Sequence, residues 1–407
     1  MEKKLIMKIL VVCQYYFPEN FQIIPICEQL VKNGHSVTVL TGLPNYPTGI
    51  VPNEYKHGKK REEIINGVHV VRSCEIGRKK GPVFLALNYF SFVISASKKI
   101  MQLDEDFDIV FVYQLSPVLM GIPAIKYSKR KRIPLFLYCC DLWPESLKMY
   151  IKNEKNPLFK YIKRISKKIY EACHLIAVQS TSFIDYFEEI HGIDKEKLVY
   201  IPAFADESYL SEDFTPNDDC VDFVFLGNLG KAQNLLALLK AVTLIKDVPN
   251  FKVHFVGDGS CLDEMKTFVK DNCIEGCVSF YGRRSVSEMT EFYKLADVCL
   301  VSLKADNKTG LTLPSKVQGY MAAGKPILGM IRGSAKEVIE TAKCGICVES
   351  DDIEAFANAM KNFILNKEKY DSFGQNGRKY FIENFKKDIF MKKLENAFEK
   401  TINSLAF

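Results

Sequence analysis

Short runs of β-branched and aromatic residues alternate with amphipathic stretches along the whole chain. The runs at 9–13, 37–40, 68–71, 109–112, 135–140 and 175–178 are almost continuously apolar. Such runs predict strands buried on both faces, joined by helical crossovers in a parallel sheet. The first crossover is the clearest: Ile23, Ile26, Cys27, Leu30 and Val31 share one helical face, and Gly34 follows where a left-handed cap would end the helix. Between 201 and 220 the pattern lapses into Pro202, Pro216 and the acidic residues Asp206, Glu207, Glu212, Asp213, Asp218 and Asp219, which predicts a linker. A second alternating series then begins, with runs at 223–226, 253–256, 278–281, 298–303, 327–330 and 346–348, and the chain reads as helical from about 353. The expectation is an α/β protein of two doubly wound, Rossmann-like domains, residues 1–200 and 221–385, with 386–407 a helix returning to the first. Ligands of such sheets bind outside the carboxyl ends of the strands, so the two domains are expected to face a central cleft.

Length agrees with that division, because 407 residues exceed what one core usually supports. With 47% apolar residues and no low-complexity tract, disorder is excluded. The apolar run at 9–13 follows a basic start but lacks a small-residue cleavage site, and is expected to be a strand rather than a signal peptide. The longest apolar stretch, 82–97, is interrupted by Asn88 and serines and is shorter than the roughly 20 residues that span a bilayer, so no span is expected. Thirteen scattered cysteines, several inside apolar strands, indicate reduced core thiols and a cytoplasmic setting. The pairs Cys273/Cys277 and Cys344/Cys347 lie among alternating apolar residues, and no metal site is expected from them.

Charge divides the chain unevenly. Residues 126–168 carry thirteen Lys and Arg against Asp141, Glu145 and Glu154, whereas residues 221–360 carry sixteen basic and seventeen acidic residues. A net of +6 therefore conceals a strongly basic first domain. The basic residues interleave with Leu158, Phe159, Ile162, Ile165 and Ile169 at helical spacing. An amphipathic helix with solvated lysines is one reading, and docking on an anionic membrane surface is the other. Nucleic acid is not expected, since no aromatic stacking residues or reading motif accompany the charges.

Candidate chemistry clusters where strands end. Gly227-Asn228-Leu229-Gly230-Lys231 follows one strand, and could cradle a diphosphate on backbone amides and a cation or simply tighten a turn. Pro314-Ser315-Lys316 opens a helix, where Ser315 and Lys316 are either anion ligands or a cap and a solvated lysine. Gly257-Asp258-Gly259 and Gly282-Arg283-Arg284 occupy the same edge, with an arginine available for an anion. In the first domain, Glu19 and Asn20 follow the first strand, and Asp141 and Glu145 follow the fifth. Asp141 reads as an acid/base or hydroxyl-positioning group or as a helix cap, and Trp143 as packing or a platform for a sugar face.

At these residues the chain resembles the retaining glycosyltransferases of family 4. Within them it is similar to the bacterial subgroup that assembles capsule, O-antigen and exopolysaccharide repeats, including fucosaminyltransferases. The resemblance covers nearly the whole chain and is carried by residues 15–19, 34–47, 141–146, 227–233 and 314–316 taken together. It implies a GT-B fold and a retaining, metal-independent hexosyl or N-acetylhexosaminyl transfer without a cofactor. A nucleotide diphosphate sugar, UDP-sugar favoured, would lie on Gly227, Asn228, Gly230, Lys231, Gly257, Asp258, Arg283, Ser315 and Lys316. A glycan or polyprenyl-diphosphate-linked acceptor would lie near Glu19, Asn20 and Trp143, and catalysis would fall to Asp141, Glu145, Lys231 and Lys316. The implied location is cytoplasmic, peripheral at the inner face of the membrane. The chain departs from the family at Asp141, where many relatives have histidine. It also departs at Leu311 and Gly319, where the Glu-x7-Glu pair is missing, and at Asn228 and Gln233, which stand in place of an arginine and a lysine.

Two rivals follow from the same fold. A dehydrogenase would need a glycine-rich turn after the first strand, where Cys13-Gln14-Tyr15 stands instead. A non-catalytic GT-B partner of another transferase would account for the missing glutamates.

Overall fold

The apolar runs form the strands of two separate sheets in the computed structural model, which describes residues 5–79, 81–151, 153–214, 220–304 and 311–404. One unit comprises residues 1–201 and 391–407, the other 202–390.

The first unit contains β1 (Lys8–Val12), α1 (Ile23–Lys32), β2 (Ser36–Thr41), β3 (Glu62–Ile65), β4 (Val68–Arg72), α2 (Pro82–Lys99), β5 (Ile109–Gln114), α3 (Gly121–Lys131), β6 (Leu135–Cys139), α4 (Pro157–Glu171), β7 (Leu175–Val178), α5 (Thr181–Tyr186) and β8 (Leu198–Tyr200). The strand order is β3-β4-β2-β1-β5-β6-β7-β8, parallel except for β3. Residues of β1, β5 and β6 are buried nearly throughout, because helices cover both faces. Steps from β4 to β5, β6 and β7 all run in one direction, so right-handed crossovers place α2, α3 and α4 on one face of the sheet. The α1 crossover runs the other way. On that face lies the last helix, whose Phe398 packs 5.2 Å from Phe111 and 5.0 Å from Phe136, while Glu395 accepts from Asn33 Nδ2.

Two short strands escaped the sequence pattern. β3 is a half-exposed edge strand joined to β4 by Asn66-Gly67, both at positive φ as a two-residue hairpin turn requires. β8 has only three residues. The apolar stretch at 82–97 also differs from expectation. It is helical to Lys99 and continues as a 3₁₀ turn to Gln102, 21 residues in all, long and apolar enough by length and composition to cross a membrane, with 28% of its apolar window buried. Asn88, Phe92 and Ala96 nonetheless bury one face of it in this unit.

In the second unit, β9 (Val221–Leu226), α6 (Leu235–Leu244), β10 (Phe251–Val256), α7 (Leu262–Asp271), β11 (Val278–Gly282), α8 (Met289–Leu295), β12 (Val298–Ser302), α9 (Ser315–Ala322), β13 (Ile327–Met330), α10 (Ser334–Thr341), β14 (Gly345–Val348), α11 (Ile353–Leu365) and α12 (Asp371–Asn384) precede α13 (Lys387–Asn403). The parallel order is β11-β10-β9-β12-β13-β14. Alternate residues of β9 feed two cores: Phe223 and Phe225 join α6, α7 and α11, and Val224 and Leu226 join α8, α9, α10 and α12. The expected linker is partly anchored to this unit, since Ala203 O accepts from Gln318 Nε2 and Ala205 N donates to Phe385 O. Its stretch 215–219, with Asp218 and Asp219, lies outside the described residues.

Candidate active site

In the second unit the strand order reverses at β9, which has β10 on one side and β12 on the other, and ligands of open α/β sheets bind at such a point. The loops after β9 and β10 interlock there. Leu229 N donates to Asp258 O and Cys261 N to Leu229 O, each at 2.9 Å. Gly257 lies at φ +146, and a Cβ on it would fall 1.8 Å from Gly227 O. A Cβ on Gly259 would fall 2.5 Å from Leu229 O. The glycines therefore serve close approach of two backbones as much as approach of a ligand. Gly227 N and Leu229 N are spent on Val256 O and Asp258 O, which narrows the expected amide cradle. Helix α6 begins after a 3₁₀ turn (Lys231–Gln233), with Asn234 left-handed at φ 53. Asn234 occupies the N-cap position of α6 without a side-chain cap bond, and its Nδ2 donates to Asp351 Oδ1 at 2.7 Å.

Lys316 enters this loop from the start of α9. Its Nζ lies 2.8 Å from Gln233 Oε1 and 3.7 Å from the centroid of the Phe225 ring, and 3.4 Å from where a Cβ of Gly227 would stand. Burial against these neutral neighbours pushes its pKa down to about 7. Residues 233 and 316 are far apart in sequence and meet only through the fold.

The remaining second-unit candidates are placed as follows. Ser315 is the first residue of α9 and exposed, and Pro314 precedes it as an N-cap without a side-chain bond, so Ser315 is not the cap. Lys231 and Arg283 are exposed, and Arg283 has no hydrogen-bond or ion-pair partner among the described residues. Arg284 is tied back to Tyr281 O and Glu288. Asp258 is exposed but accepts from its own neighbour, Gly259 N. Exposed Asn228 projects toward both Gly230 and Gly259. Lys304, missed from the sequence, follows β12 and donates its backbone N–H to Ala232 O, which places a further exposed cation by the loop. A lysine directly after an apolar strand was the available signal.

In the first unit, Asp141 Oδ2 accepts from Ser116 Oγ at 2.8 Å, and Ser116 Oγ accepts from Trp143 Nε1 at 3.0 Å. Gln114 Nε2 holds Asp141 O at 2.9 Å. Asp141 is therefore fixed by the loop after β5 and caps no helix. Trp143 is only 5% exposed, which corrects its reading as a sugar platform: its indole is buried and positions Ser116. Glu145 is also reassigned, because its carboxylate meets Lys148 Nζ at 2.6 Å and Tyr186 OH at 3.2 Å and braces the following turn. Glu19 is buried and accepts from Asn45 N and Tyr46 N, so it holds the loop after β2, while Asn20 is exposed. Beside Glu19 lies Glu75, a carboxyl unmarked in the sequence pattern. It is bonded by Asn45 Nδ2 and Gln14 Nε2, and burial, with the Glu19 charge adding to it, pushes its pKa well up.

Comparison with known proteins bears on both units. Residues 22–209 match the family described as Glycosyltransferase Family 4, and residues 209–380 match Glycosyl transferases group 1. The chain has the GT-B fold, and the two glycosyltransferase matches together span residues 22–380. Over 232 residues it is 27% identical to a protein of Pseudomonas aeruginosa named as glycosyltransferase WbjE, a match covering 54% of this chain and 56% of that one, so the chain spans about half the length of that relative. It is 23% identical to an Escherichia coli protein named as a colanic acid biosynthesis glycosyl transferase, WcaI, over 83% of this chain and 86% of that one. A solved structure of Anabaena HepE in complex with UDP superposes with a TM-score of 0.68 at 15% identity, covering 97% and 100% of the two chains. A Cβ at Gly319 would lie 2.9 Å from Tyr293 OH on α8, so a larger side chain at this position would require the tyrosine to shift.

Proposed function

We propose that this glycosyltransferase moves a sugar from a nucleoside diphosphate, a UDP-sugar in the first instance, with retention, onto a glycan or polyprenyl-diphosphate-linked acceptor in surface polysaccharide assembly. The carrying observation is the Lys316 amine, lodged between Gln233, Phe225 and Gly227 at the switch point with only neutral partners among the described residues. An anion placed there would supply the missing counter-charge. The UDP held by the Anabaena protein supports the nucleotide, and the colanic acid relative supports the pathway class. In the transfer, the bond from the anomeric carbon to the diphosphate oxygen breaks as the acceptor hydroxyl oxygen bonds to the same face of that carbon. The hydroxyl proton passes to the departing diphosphate. Lys316, with Lys231 and Arg283, stabilises the charge that develops on it.

The reading is tested by mass spectrometry of products from a panel of sugar nucleotides and polyprenyl-diphosphate acceptors, with thermal shift by UDP alongside. Absence of both product and stabilisation across the panel overturns it. Asp141 is assigned to orienting the acceptor hydroxyl, and Asp141→Asn keeps an oxygen for Ser116 while removing the charge. Turnover should fall by about 10²-fold with donor affinity little changed; unaltered turnover would remove Asp141 from the mechanism.

Donor affinity should also depend on pH. Lys316 has a pKa of about 7 before donor binds, and the charged form is the one a diphosphate favours. Binding above pH 7 then takes up a proton, so Kd should rise by up to about tenfold per pH unit until the pKa of the bound state is reached. Calorimetry with a UDP-sugar, whose diphosphate does not titrate in this range, in buffers of different ionisation enthalpy would read the proton uptake. A Kd constant from pH 7 to 9 would exclude it.

The lipid-linked acceptor implies a membrane surface, and the exposed Lys126, Lys129, Arg130 and Arg132 of the α3 end, with Lys160, Arg164 and Lys168 of α4, supply a cationic face for an anionic leaflet. Vesicle binding should weaken with salt.

A further inference from the structure

Helix α2 carries an apolar strip that its own unit leaves uncovered. Val83, Leu87, Phe90 and Ile94 succeed one another at helical spacing and are 69%, 43%, 52% and 59% exposed, with Phe84 beside them at 38%. Scattered apolar residues are ordinary on a surface, whereas a contiguous strip marks a contact. The chain from 76 to 103 contains no acidic residue, and Arg78 and Lys79 lie before α2 and Lys98 and Lys99 at its end, Lys99 being paired with Glu62. The strip is thus bracketed by cations along its axis. The cationic face of α3 and α4 continues it, because α2 packs against α3, and α2 and α4 both pack on the turn Val118–Met120. A second copy of this chain would set these cations against each other across a symmetric contact. An anionic lipid surface complements both the charge and the apolar strip.

The helix is long enough to cross a bilayer, but its packing opposes that. Asn88 Nδ2 donates to Ile76 O at 2.7 Å and Asn88 Oδ1 accepts from Gln14 Nε2 at 2.9 Å. Passage through hydrocarbon would break these bonds and strip Phe92 and Ala96 from the core, whereas a helix lying in the plane of the interface keeps them.

We propose that α2 is a monotopic anchor, lying in an anionic leaflet with Val83, Leu87, Phe90 and Ile94 at the acyl boundary and the flanking Arg and Lys side chains at lipid phosphates. The proposal rests on the membrane reading above and adds that apolar insertion, beyond charge, holds the protein there. Trp143 is the single tryptophan of the chain and is buried, so Phe90→Trp adds a reporter against a quiet background. With vesicles of phosphatidylglycerol and phosphatidylcholine its emission should shift to the blue and be quenched by lipids brominated on the acyl chain. The double variant Leu87→Glu/Phe90→Glu, its fold checked by circular dichroism and by thermal shift with UDP, should lose vesicle affinity by about tenfold or more. It should also lose the binding that wild type retains at about 0.5 M salt, where charge is screened within a few ångströms. Failure of wild type to bind anionic vesicles at low salt overturns the membrane reading and the anchor together. Wild-type binding with an unquenched Phe90→Trp reporter and an unaffected double variant overturns the anchor alone. Dimerisation of wild type but not of the double variant in lipid-free sedimentation, without acyl-chain quenching, reassigns the strip to a second copy.

Discussion

Lys316→Met is expected to lower turnover by about 10²–10³-fold, the usual scale for removing one preorganised charge from a departing anion. Gln233 and the Phe225 ring stay in place around an apolar side chain of similar length, so the site should lose its cation and keep its shape. The stability change distinguishes this from misfolding. In the folded protein the amine has a pKa of about 7, against about 10.5 in the unfolded chain. The burial penalty is therefore absent above the unfolded value, grows as pH falls, and is complete below about 7. Removing the amine should raise stability at neutral pH, by a few kcal/mol at most. A more stable but inactive variant is the expected result, read by thermal melts and product formation. Wild-type turnover would overturn the assignment of Lys316 to the diphosphate. Lys231→Ala removes an exposed cation in higher dielectric and should cost less, about tenfold.

Gly257→Ala should be the most destabilising single methyl addition in the donor-side loops. The position combines φ +146 with a Cβ site 1.8 Å from Gly227 O, a backbone atom that β9 and β10 hold in register. Conformational strain of about 1–3 kcal/mol and a forced backbone shift of similar size add to several kcal/mol, a large part of a total of about 5–15 kcal/mol. A fall of about 10 °C or more in the melting of the second unit is expected. Gly276→Ala is the control, since nothing lies within 4 Å of its added methyl. Equal melting temperatures for the two variants would mean that the β9 and β10 loops do not require the close approach described.

The strands that were legible in the sequence are those buried on both faces, because continuous apolar runs such as 109–112 and 223–226 need no knowledge of their neighbours. β3 and β8 were not, since a half-exposed edge strand and a three-residue strand carry too little periodic signal. The loops bearing the candidate chemistry could also be located, because parallel strands bring their carboxyl ends to one edge whatever the rest of the chain does. What each side chain does there was decided by tertiary contacts between residues remote in sequence. Asp141 is held by Ser116, Trp143 is buried against the same hydroxyl, and Glu145 is bonded by Tyr186, 41 positions away. Lys316 reaches Gln233 across 83 positions. Composition marked 82–97 as apolar, but which face of α2 would be buried depended on Gln14 and Ile76, which bond Asn88 and turn that face inward. Local pattern thus determined the elements and their order, since propensity and periodicity act within a few residues. Hydrogen-bond pairing and burial act between distant residues, so only the folded chain decided which groups remain available to a ligand.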